Sequence, residues 1–424
     1  MKTGLKVGGN FVKHYSKKLI HPEMDRSSLD QQNAEEIYET LSELKGSALK
    51  VAQMLSMDKG VLPMAYSKKF AQAQYQAPAL SGPLVVKTFQ QYFSKSPAEL
   101  YDTFDMKAKH AASIGQVHQA TKDGKSLAVK IQYPGVADSV ISDLKMIKPM
   151  AKQLLGFKER DTKQYFQEIQ DRLLEETDYE LELKRSMFIS EACKDIPNLD
   201  FATYYPDLSC ERIITMDWKD GVHLDDLLDK NPPQHIRNSI GQALWDFYNF
   251  QIHQLKIMHA DAHPGNYLLR MDGTVCILDF GCVKEIPESF YETYFQLLSP
   301  EILKDEVELR KSCEAAQLIR PNDPPELVEF YMSIVKEALG LVLKPFFVDE
   351  FDFGDDEFFD SIYAYAEQMG RNPAMRDSMS PRGDKDGIYM NRTYFGLYSI
   401  LNKLKAKIHT QNYFPQDKLR PATM

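Results

Sequence analysis

The sequence predicts an α+β fold with a small β-rich lobe and a larger helical lobe. The β-branched stretch Leu127–Gln132 follows a Lys122–Lys125 turn and indicates a hairpin of the small lobe. Apolar residues at helical spacing between Ile240 and Leu255 indicate a buried helix of the larger lobe. Between these patterns, Gln164–Cys193 contains neither proline nor glycine and is rich in glutamate, which predicts a long helix.

These patterns divide the 424 residues into three regions. Residues 1–100 are expected to form a mainly helical extension. Residues 101–217 form the small lobe, and residues 218–424 form the large lobe with additional helices at its C-terminal end. A chain of this length is sufficient for two lobes of about 250 residues together, with additions at both ends.

The charge balance argues against nucleic acid as the main partner. The chain has 51 basic and 61 acidic side chains and a formal net charge of -10, whereas binding to a phosphate backbone requires clustered cations. The five cysteines show no C-x-x-C spacing and are odd in number. We therefore expect neither a disulfide framework nor structural zinc, and a reducing cytoplasm is the expected compartment.

The N-terminal segment is basic, in contrast to the acidic chain as a whole. Five lysines precede the first acidic residue and alternate with apolar residues: Lys2, Lys6, Lys13, Lys17 and Lys18. Two interpretations stay open, a peripheral contact with the anionic inner face of a membrane and a solvated terminus. The segment lacks the apolar core of a signal peptide, and no apolar run reaches the roughly 18 residues of a membrane span.

The most informative motif is Asp279–Gly281, which begins 13 residues after Asn266. The residues between them predict two short strands joined by an Asp-Gly turn, and the polar loop 259–266 lies just upstream. Phosphoryl transfer needs cations on the phosphate oxygens and a carboxylate near the acceptor. We therefore predict that Asn266 and Asp279 bind Mg²⁺ and that Asp261 is the catalytic carboxylate.

The same loop supports a second interpretation. His259, Asp261 and His263 alternate as in a metal cluster, which would suit zinc or a dinuclear hydrolase. The rest of the chain favours ATP, because Lys130 on the strand Leu127–Gln132 is the natural partner of the α- and β-phosphates. A hydrolase would instead hold zinc or iron and would have no need of Lys130.

Such a lysine needs a carboxylate from a neighbouring helix, and the glutamate-rich stretch contains three candidates. Asp178 and Glu182 are four residues apart and would share one face of the predicted helix. Glu176 would point away from Glu182 by about 120°. The spacing therefore predicts two distinct partners for basic groups.

Five motifs resemble those of the UbiB/AarF, or ABC1-type, atypical kinase-like family. The resemblance spans roughly residues 40 to 290 and includes an alanine-rich loop where protein kinases have a glycine-rich one. The motifs occur in the family's order: Lys50–Gln53, Ala111–His118, Ala128–Lys130, Glu176–Tyr179 and Asp279–Gly281. The resemblance implies a bilobal protein-kinase-like fold with an N-terminal helical extension and a helical C-terminal tail.

The resemblance also implies a role for the N-terminal extension. Lys50 and Gln53 would lie on a helix across the site where a protein kinase admits a peptide, and they would gate access to it. Lys50 would pair with the carboxylates of Glu176 and Asp178. In the same scheme Glu182 would pair with Lys130.

The alanine-rich loop would surround the ATP phosphates. Methyl groups restrict the backbone there, and in the family this resembles a device that restrains ordinary kinase turnover. Its residues are Ala111, Ala112, Ser113, Ile114, Gly115, Gln116 and Val117. The backbone around Met216 to Trp218, at the end of a strand that reads as a hinge, would bind adenine.

Three positions depart from the expected patterns. Ala52 stands where the family has glycine, and His110 stands where a further alanine is usual, so an ionisable ring lies either near the phosphates or at the loop's edge. His263 occupies the position of a basic residue in protein-serine kinases. Peptide phosphorylation is therefore less expected than ATP hydrolysis or transfer to a small acceptor.

The sequence thus favours a Mg²⁺-ATP-binding protein that acts as an ATPase or as a small-molecule or lipid kinase. The resemblance alone adds a link to isoprenoid-quinone metabolism. Anionic membrane lipid, isoprenoid-quinone precursors and a quinone-biosynthesis complex are its expected partners. A non-catalytic ATP-binding scaffold is the alternative, and the metal-dependent hydrolase comes third.

Overall fold

In the computed structural model, the residues described are 80–112, 114–155, 159–260, 262–298, 302–372 and 382–411. Four of the predicted site residues lie outside these ranges: Lys50, Gln53, Ser113 and Asp261. The chain folds into two compact units. The first comprises the described residues up to Lys184 together with Thr203–Trp218, and the second comprises Arg185–Ala202 and the described residues from Lys219 onward.

Twelve strands are present in the described ranges. In chain order they are β1 (Thr103–Phe104), β2 (His110–Ala111), β3 (Gly115–Lys122), β4 (Lys125–Gln132), β5 (Leu199–Phe201), β6 (Ile213–Asp217), β7 (Ile257–His259), β8 (Tyr267–Leu269), β9 (Val275–Ile277), β10 (Val283–Glu285), β11 (Glu350–Asp352) and β12 (Lys407–His409).

The same ranges contain twelve α-helices. They are α1 (Gly82–Phe93), α2 (Pro97–Leu100), α3 (Val136–Leu155), α4 (Glu159–Glu176), α5 (Tyr179–Cys193), α6 (Leu224–Asp229), α7 (Gln234–Phe250), α8 (Glu288–Leu297), α9 (Glu306–Ala315), α10 (Pro325–Val342), α11 (Asp356–Arg371) and α12 (Lys385–Leu404). None of the helices in the described part of the chain is long and apolar enough to cross a membrane.

The first unit is built on a five-stranded antiparallel sheet of order β1–β3–β4–β6, with β2 paired to β3. The β3–β4 turn has positive φ angles at Asp123 and Gly124, so the predicted hairpin is confirmed. Apolar side chains on one face of the sheet pack against Val85 and Phe89 of α1. This packing fixes β4, which carries Lys130.

The long helix predicted over Gln164–Cys193 is interrupted. Helix α4 ends at Glu176 and α5 begins at Tyr179, with Thr177 and Asp178 between them. The Oδ1 of Asp178 accepts a hydrogen bond from the amide of Leu181 at 3.0 Å. An aspartate that caps the first turn in this way starts a new helix without any proline or glycine.

The second unit carries its core around α7, whose Trp245, Phe247 and Tyr248 are fully buried. The buried helix predicted upstream of the polar loop is confirmed, and it ends in one π-helical turn, Gln251–Leu255. Strands β8 and β9 form the predicted antiparallel hairpin, and β5 pairs parallel to β9. The α+β fold class predicted from the sequence is confirmed.

Candidate nucleotide site

Lys130 and Glu182 form a buried ion pair in the first unit. The Nζ atom of Lys130 lies 2.6 Å from Oε1 of Glu182, and the two side chains are only 10% and 6% exposed. The ammonium group also lies 5.1 Å from the ring centroid of Tyr179. A buried ion pair is held in a fixed geometry because separating its charges in the interior is costly. The structure therefore holds the ammonium of β4 in place, as a phosphate-binding lysine requires.

The other two candidate carboxylates differ in their surroundings. Glu176, the last residue of α4, is buried, whereas Asp178 is exposed. Asp178 caps α5, and its carbonyl accepts the hydrogen bond from the amide of Glu182 at 3.0 Å, so the two residues lie one turn apart at the start of α5. Their pairing with Lys50 remains a prediction, because Lys50 lies outside the described residues.

The alanine-rich loop is the reversal between β2 and β3. The amide of Ala112 donates a hydrogen bond to the carbonyl of Gly115 at 2.8 Å, and Ala111 is exposed. A Cβ atom on Gly115 would lie 2.4 Å from the carbonyl oxygen of Ile131. Glycine is therefore required at position 115 because the neighbouring strand passes too close for any side chain.

Two of the predicted loop ligands lie in the interior of the small lobe. Ile114 is 4% exposed and Gln116 is fully buried. The Gln116 side chain lies 2.7 Å from Nε2 of His118 and accepts a hydrogen bond from the amide of Leu80 at 2.6 Å. Val117 is half-buried and lies opposite Lys130 in the β3–β4 register. The Gln116 side chain is therefore engaged within the small lobe.

The hinge segment contains a ring stack that no local sequence pattern indicates. The rings of His110 and Trp218 lie 5.8 Å apart between centroids at an interplanar angle of 28°. Met216 is buried in β6, and the amide of Trp218 donates to the carbonyl of Ser126 at 2.9 Å. His110, one of the departures from the family pattern, therefore packs against the predicted adenine-binding segment.

His259 links the polar loop to the Asp279–Gly281 motif in the second unit. It is 1% exposed, and its Nε2 lies 2.7 Å from the carbonyl oxygen of Asp279. Its Nδ1 lies 3.4 Å from the hydroxyl of Tyr248. Because a carbonyl oxygen can only accept, Nε2 must carry the proton. His259 thus has a positioning role between the two motifs.

Asn266 and Asp279 are brought together by the backbone. The amide of Leu278 donates to the carbonyl of Asn266 at 2.9 Å, and Oδ1 of Asp279 accepts from the amide of Gly281 at 2.8 Å. Phe280 is fully buried and anchors the motif. Mg²⁺ prefers carboxylate and amide oxygens. These two side chains supply one of each, so they fit the cation.

The zinc interpretation has no support in the described residues. Both ring nitrogens of His259 lie near protein partners, and Nδ1 of His263 accepts a hydrogen bond from the amide of Gly265 at 3.0 Å. Among the described residues, no three histidine, cysteine, aspartate or glutamate side chains form a group that could hold a metal ion. Asp261 lies outside the described residues.

Asp200 of β5 forms two ion pairs that no sequence pattern indicates. The carboxylate of Asp200 lies 2.7 Å from Nζ of Lys219 and 2.8 Å from Nη2 of Arg270. Burial alone would raise the pKa of Asp200, but the two cations hold it below its ordinary value. The two ion pairs join β5 to the chain after the hinge and to the end of β8.

Helix α12 supports the polar loop from the C-terminal part of the chain. A Cβ atom on Gly396 would lie 2.7 Å from the Cβ of Ala262, the residue after Asp261. The hydroxyl of Thr393 donates a long hydrogen bond, 3.4 Å, to the carbonyl of His259. No local pattern in the sequence signals this contact, because the partners are more than 130 residues apart.

A family comparison identifies the chain. The model of the ABC1 atypical kinase-like domain matches residues 72–313, more than half of the sequence. The chain belongs to this family. The UbiB/AarF resemblance predicted from the motifs is thereby confirmed.

Curated relatives of this ABC1-family chain carry kinase names. A Danio rerio protein named "Atypical kinase COQ8B, mitochondrial" is 27% identical over 398 residues, covering 92% of this chain and 62% of that protein. A Xenopus tropicalis protein named "AarF domain-containing protein kinase 1" is 28% identical over 63% of this chain and 52% of its own. The chain therefore spans less than two thirds of the length of these relatives.

A solved structure shows the same fold. The complex of Rv3197 with erythromycin from Mycobacterium tuberculosis superposes with a TM-score of 0.65 at 25% sequence identity. The match covers 93% of this chain and 98% of the other. The likeness extends well beyond the residues matched by the family model, into the C-terminal helices.

Proposed function

We propose that this ABC1-family chain binds Mg²⁺-ATP and hydrolyses it or transfers its terminal phosphoryl group to a small acceptor. The buried pair of Lys130 with Glu182 is the observation that carries the proposal. A lysine held in this way on a central strand is the arrangement that binds the α- and β-phosphates in kinase-like proteins.

The second unit would supply the cation site. Asn266 and Asp279 would hold Mg²⁺, which neutralises negative charge on the phosphate oxygens when it is bound. Oδ1 of Asp279 accepts a hydrogen bond from the amide of Gly281, and this bond fixes the orientation of the carboxylate. Asp261 would accept the proton of water or of a small acceptor.

The resemblance and the relatives' names support a biological setting. The family resemblance links the chain to isoprenoid-quinone metabolism, and the relatives include proteins named atypical kinase COQ8B. We extend this setting to the chain as part of the proposal. Anionic lipid at a membrane surface and quinone precursors are the partners to be tested first.

One observation favours a second candidate, a non-catalytic ATP-binding scaffold. In a glycine-rich loop the backbone amides are available to phosphates, whereas here the amide of Ala112 is occupied by the carbonyl of Gly115. Fewer donors to the phosphates would slow turnover while still allowing nucleotide to bind.

A single experiment separates the two candidates. Mg²⁺-ATP affinity by calorimetric titration and phosphate release are measured on wild type, Lys130→Ala and Asp279→Asn, with and without anionic liposomes. We expect turnover that falls about 100-fold or more in both variants. Affinity without turnover in wild type under every condition would favour the scaffold, and the absence of affinity would refute both candidates.

A further inference from the structure

The second unit contains a large cavity, and none of the predicted site residues in the described ranges lines it. Its volume is about 680 Å³, and its walls are formed mainly by the helices α8, α10, α11 and α12. Protein interiors are close-packed and contain few voids larger than a water molecule. Cavities of roughly 300 to 1,000 Å³ are typical of small-molecule sites.

The walls of this cavity are apolar. Four tyrosines line it, and the hydroxyl group of each one donates to a protein acceptor: Tyr294 to Asn391, Tyr365 to the carbonyl of Ile334, Tyr394 to Asn249, and Tyr398 to the carbonyl of Val342. Burial raises the pKa of all four tyrosines. Their hydroxyls are therefore neutral and already hydrogen-bonded, so a ligand meets mainly their rings and the neighbouring aliphatic side chains.

The charged groups at the cavity are paired within the protein. Among the described residues that line it, Arg382 is the one lysine or arginine, and its Nη2 donates to Oδ1 of Asp323 at 2.9 Å. Asp384 caps α12 by accepting from the amide of Asp386 at 2.9 Å. A phosphate or carboxylate ligand would find no unpaired cation on the described walls, so the ligand should be uncharged.

Arg382 offers no polar contact to a ligand either. Its guanidinium carbon lies 4.2 Å from the ring centroid of Tyr331, and its Nε atom is buried. The described walls therefore favour an apolar ligand.

Helix α12 connects this cavity to the polar loop. Gly387, Asn391 and Phe395 line the cavity. On the same helix, Thr393 donates to the carbonyl of His259 and Gly396 packs against Ala262. A ligand that changes the position of α12 would therefore also change the position of the loop.

We propose that the cavity binds an uncharged, largely apolar small molecule, and that its occupancy regulates the nucleotide site through α12. The regulatory part rests on the proposed function, whereas the binding part does not.

Binding is tested with the uncharged fluorescent probe diphenylhexatriene, displaced by farnesol. In Gly387→Leu the new side chain should take up part of the cavity, because Gly387 lines it and a Cβ atom there would meet only Phe290, at 3.8 Å. Gly340→Leu is the matched control, since Gly340 is an exposed glycine of α10 with nothing within 4 Å. We expect Gly387→Leu to weaken farnesol binding at least about tenfold and Gly340→Leu to leave it unchanged.

A second variant and a charged competitor complete the binding test. Ala338→Leu narrows the cavity from α10 and should also weaken binding, so it decides the result if Gly387→Leu does not fold. Farnesyl diphosphate should compete less well than farnesol, because the walls lack an unpaired cation. The proposal would be overturned if farnesol displaced no probe from the wild-type protein. It would also be overturned if a folded Gly387→Leu variant bound farnesol as tightly as wild type, or if Gly340→Leu lost as much farnesol affinity as Gly387→Leu.

Regulation is measured separately. Farnesol should change ATP hydrolysis, or ATP affinity if there is no turnover, in wild type and Gly340→Leu but not in Gly387→Leu. Farnesol binding with no effect on either quantity would overturn the regulatory part alone. Failure of the chain to bind ATP at all would refute the proposed function and the regulation, while the fluorescence result would still decide the binding site.

Discussion

Gly396 of α12 lies so close to Ala262 that a Cβ atom on Gly396 would be 2.7 Å from the Cβ of Ala262 and 2.8 Å from its carbonyl oxygen. Real Cβ atoms do not approach other atoms this closely, so position 396 must remain glycine or the loop must move. Ala262 directly follows Asp261, the proposed catalytic carboxylate. The C-terminal helix therefore limits where the loop can lie.

Gly396→Ala should impair activity more than stability. The added methyl group would push Ala262 away from α12, so we expect ATP turnover to fall at least about tenfold, since small displacements in a positioned site are costly. Overpacking should destabilise the fold by about 1–3 kcal/mol. Phosphate release and urea unfolding measure the two effects.

Gly340→Ala is the control for this prediction. The position is helical and open, so alanine should stabilise the protein by roughly 0.5–1 kcal/mol and leave turnover unchanged. Wild-type turnover in Gly396→Ala would show that the loop does not depend on the contact with α12.

Glu182→Gln should destabilise the protein strongly. The change keeps the shape of the side chain but removes the charge that compensates the buried ammonium of Lys130. Breaking a buried ion pair in this way costs about 3–5 kcal/mol. ATP affinity should fall with it, because the lysine loses its fixed position.

The matched control is the exposed pair of Glu191 with Lys194 on the same stretch of chain. Glu191→Gln should cost no more than about 1 kcal/mol, since exposed pairs contribute little. Both variants are compared by urea unfolding at neutral pH. Equal losses in the two would show that the Lys130 pair is not buried in solution.

Local sequence signals predicted much of this fold. The Asp123-Gly124 turn and the periodicity of α7 depend on residues close in sequence, and they predicted the β3–β4 hairpin and the buried helix. The break between α4 and α5 was missed because it is made by the cap of Asp178, without proline or glycine.

Other features of the site could not be read from local patterns. The stack of His110 on Trp218 and the contact of Gly396 with Ala262 join residues more than 100 positions apart. Neither periodicity nor propensity encodes such contacts, which depend on tertiary packing. The family resemblance indicated that Glu182 is the partner of Lys130, whereas the residue spacing alone did not decide among Glu176, Asp178 and Glu182.

The pair of Asp323 and Arg382 should make the protein sensitive to acid. Hydrogen bonds from Arg382 lower the pKa of Asp323 from 3.8 to about 2. A carboxylate whose pKa is lower in the folded state stabilises that state above its unfolded pKa and loses this contribution as the pH falls. Stability from this pair should therefore be full above pH 3.8 and vanish near pH 2.

Asp323→Asn tests this pH dependence. The variant should be less stable than wild type at neutral pH, and the difference should shrink as the pH falls from 3.8 towards 2. Urea unfolding across this range measures it, with Asp207→Asn as the control because Asp207 is exposed. A difference between wild type and Asp323→Asn that does not change with pH would contradict the prediction.

Gly115→Ala should disrupt the small lobe. The new Cβ atom would lie 2.4 Å from the carbonyl oxygen of Ile131 and 2.9 Å from the hydroxyl of Tyr179, so β3 would have to move away from β4. A backbone atom cannot rotate away as a flexible side chain can, and we expect a loss of at least about 3 kcal/mol. Ala111→Gly, at an exposed position of the same loop, should leave the unfolding free energy within about 1 kcal/mol of wild type. Comparable stability of the two variants in urea would show that β3 and β4 are farther apart in solution than in this structure.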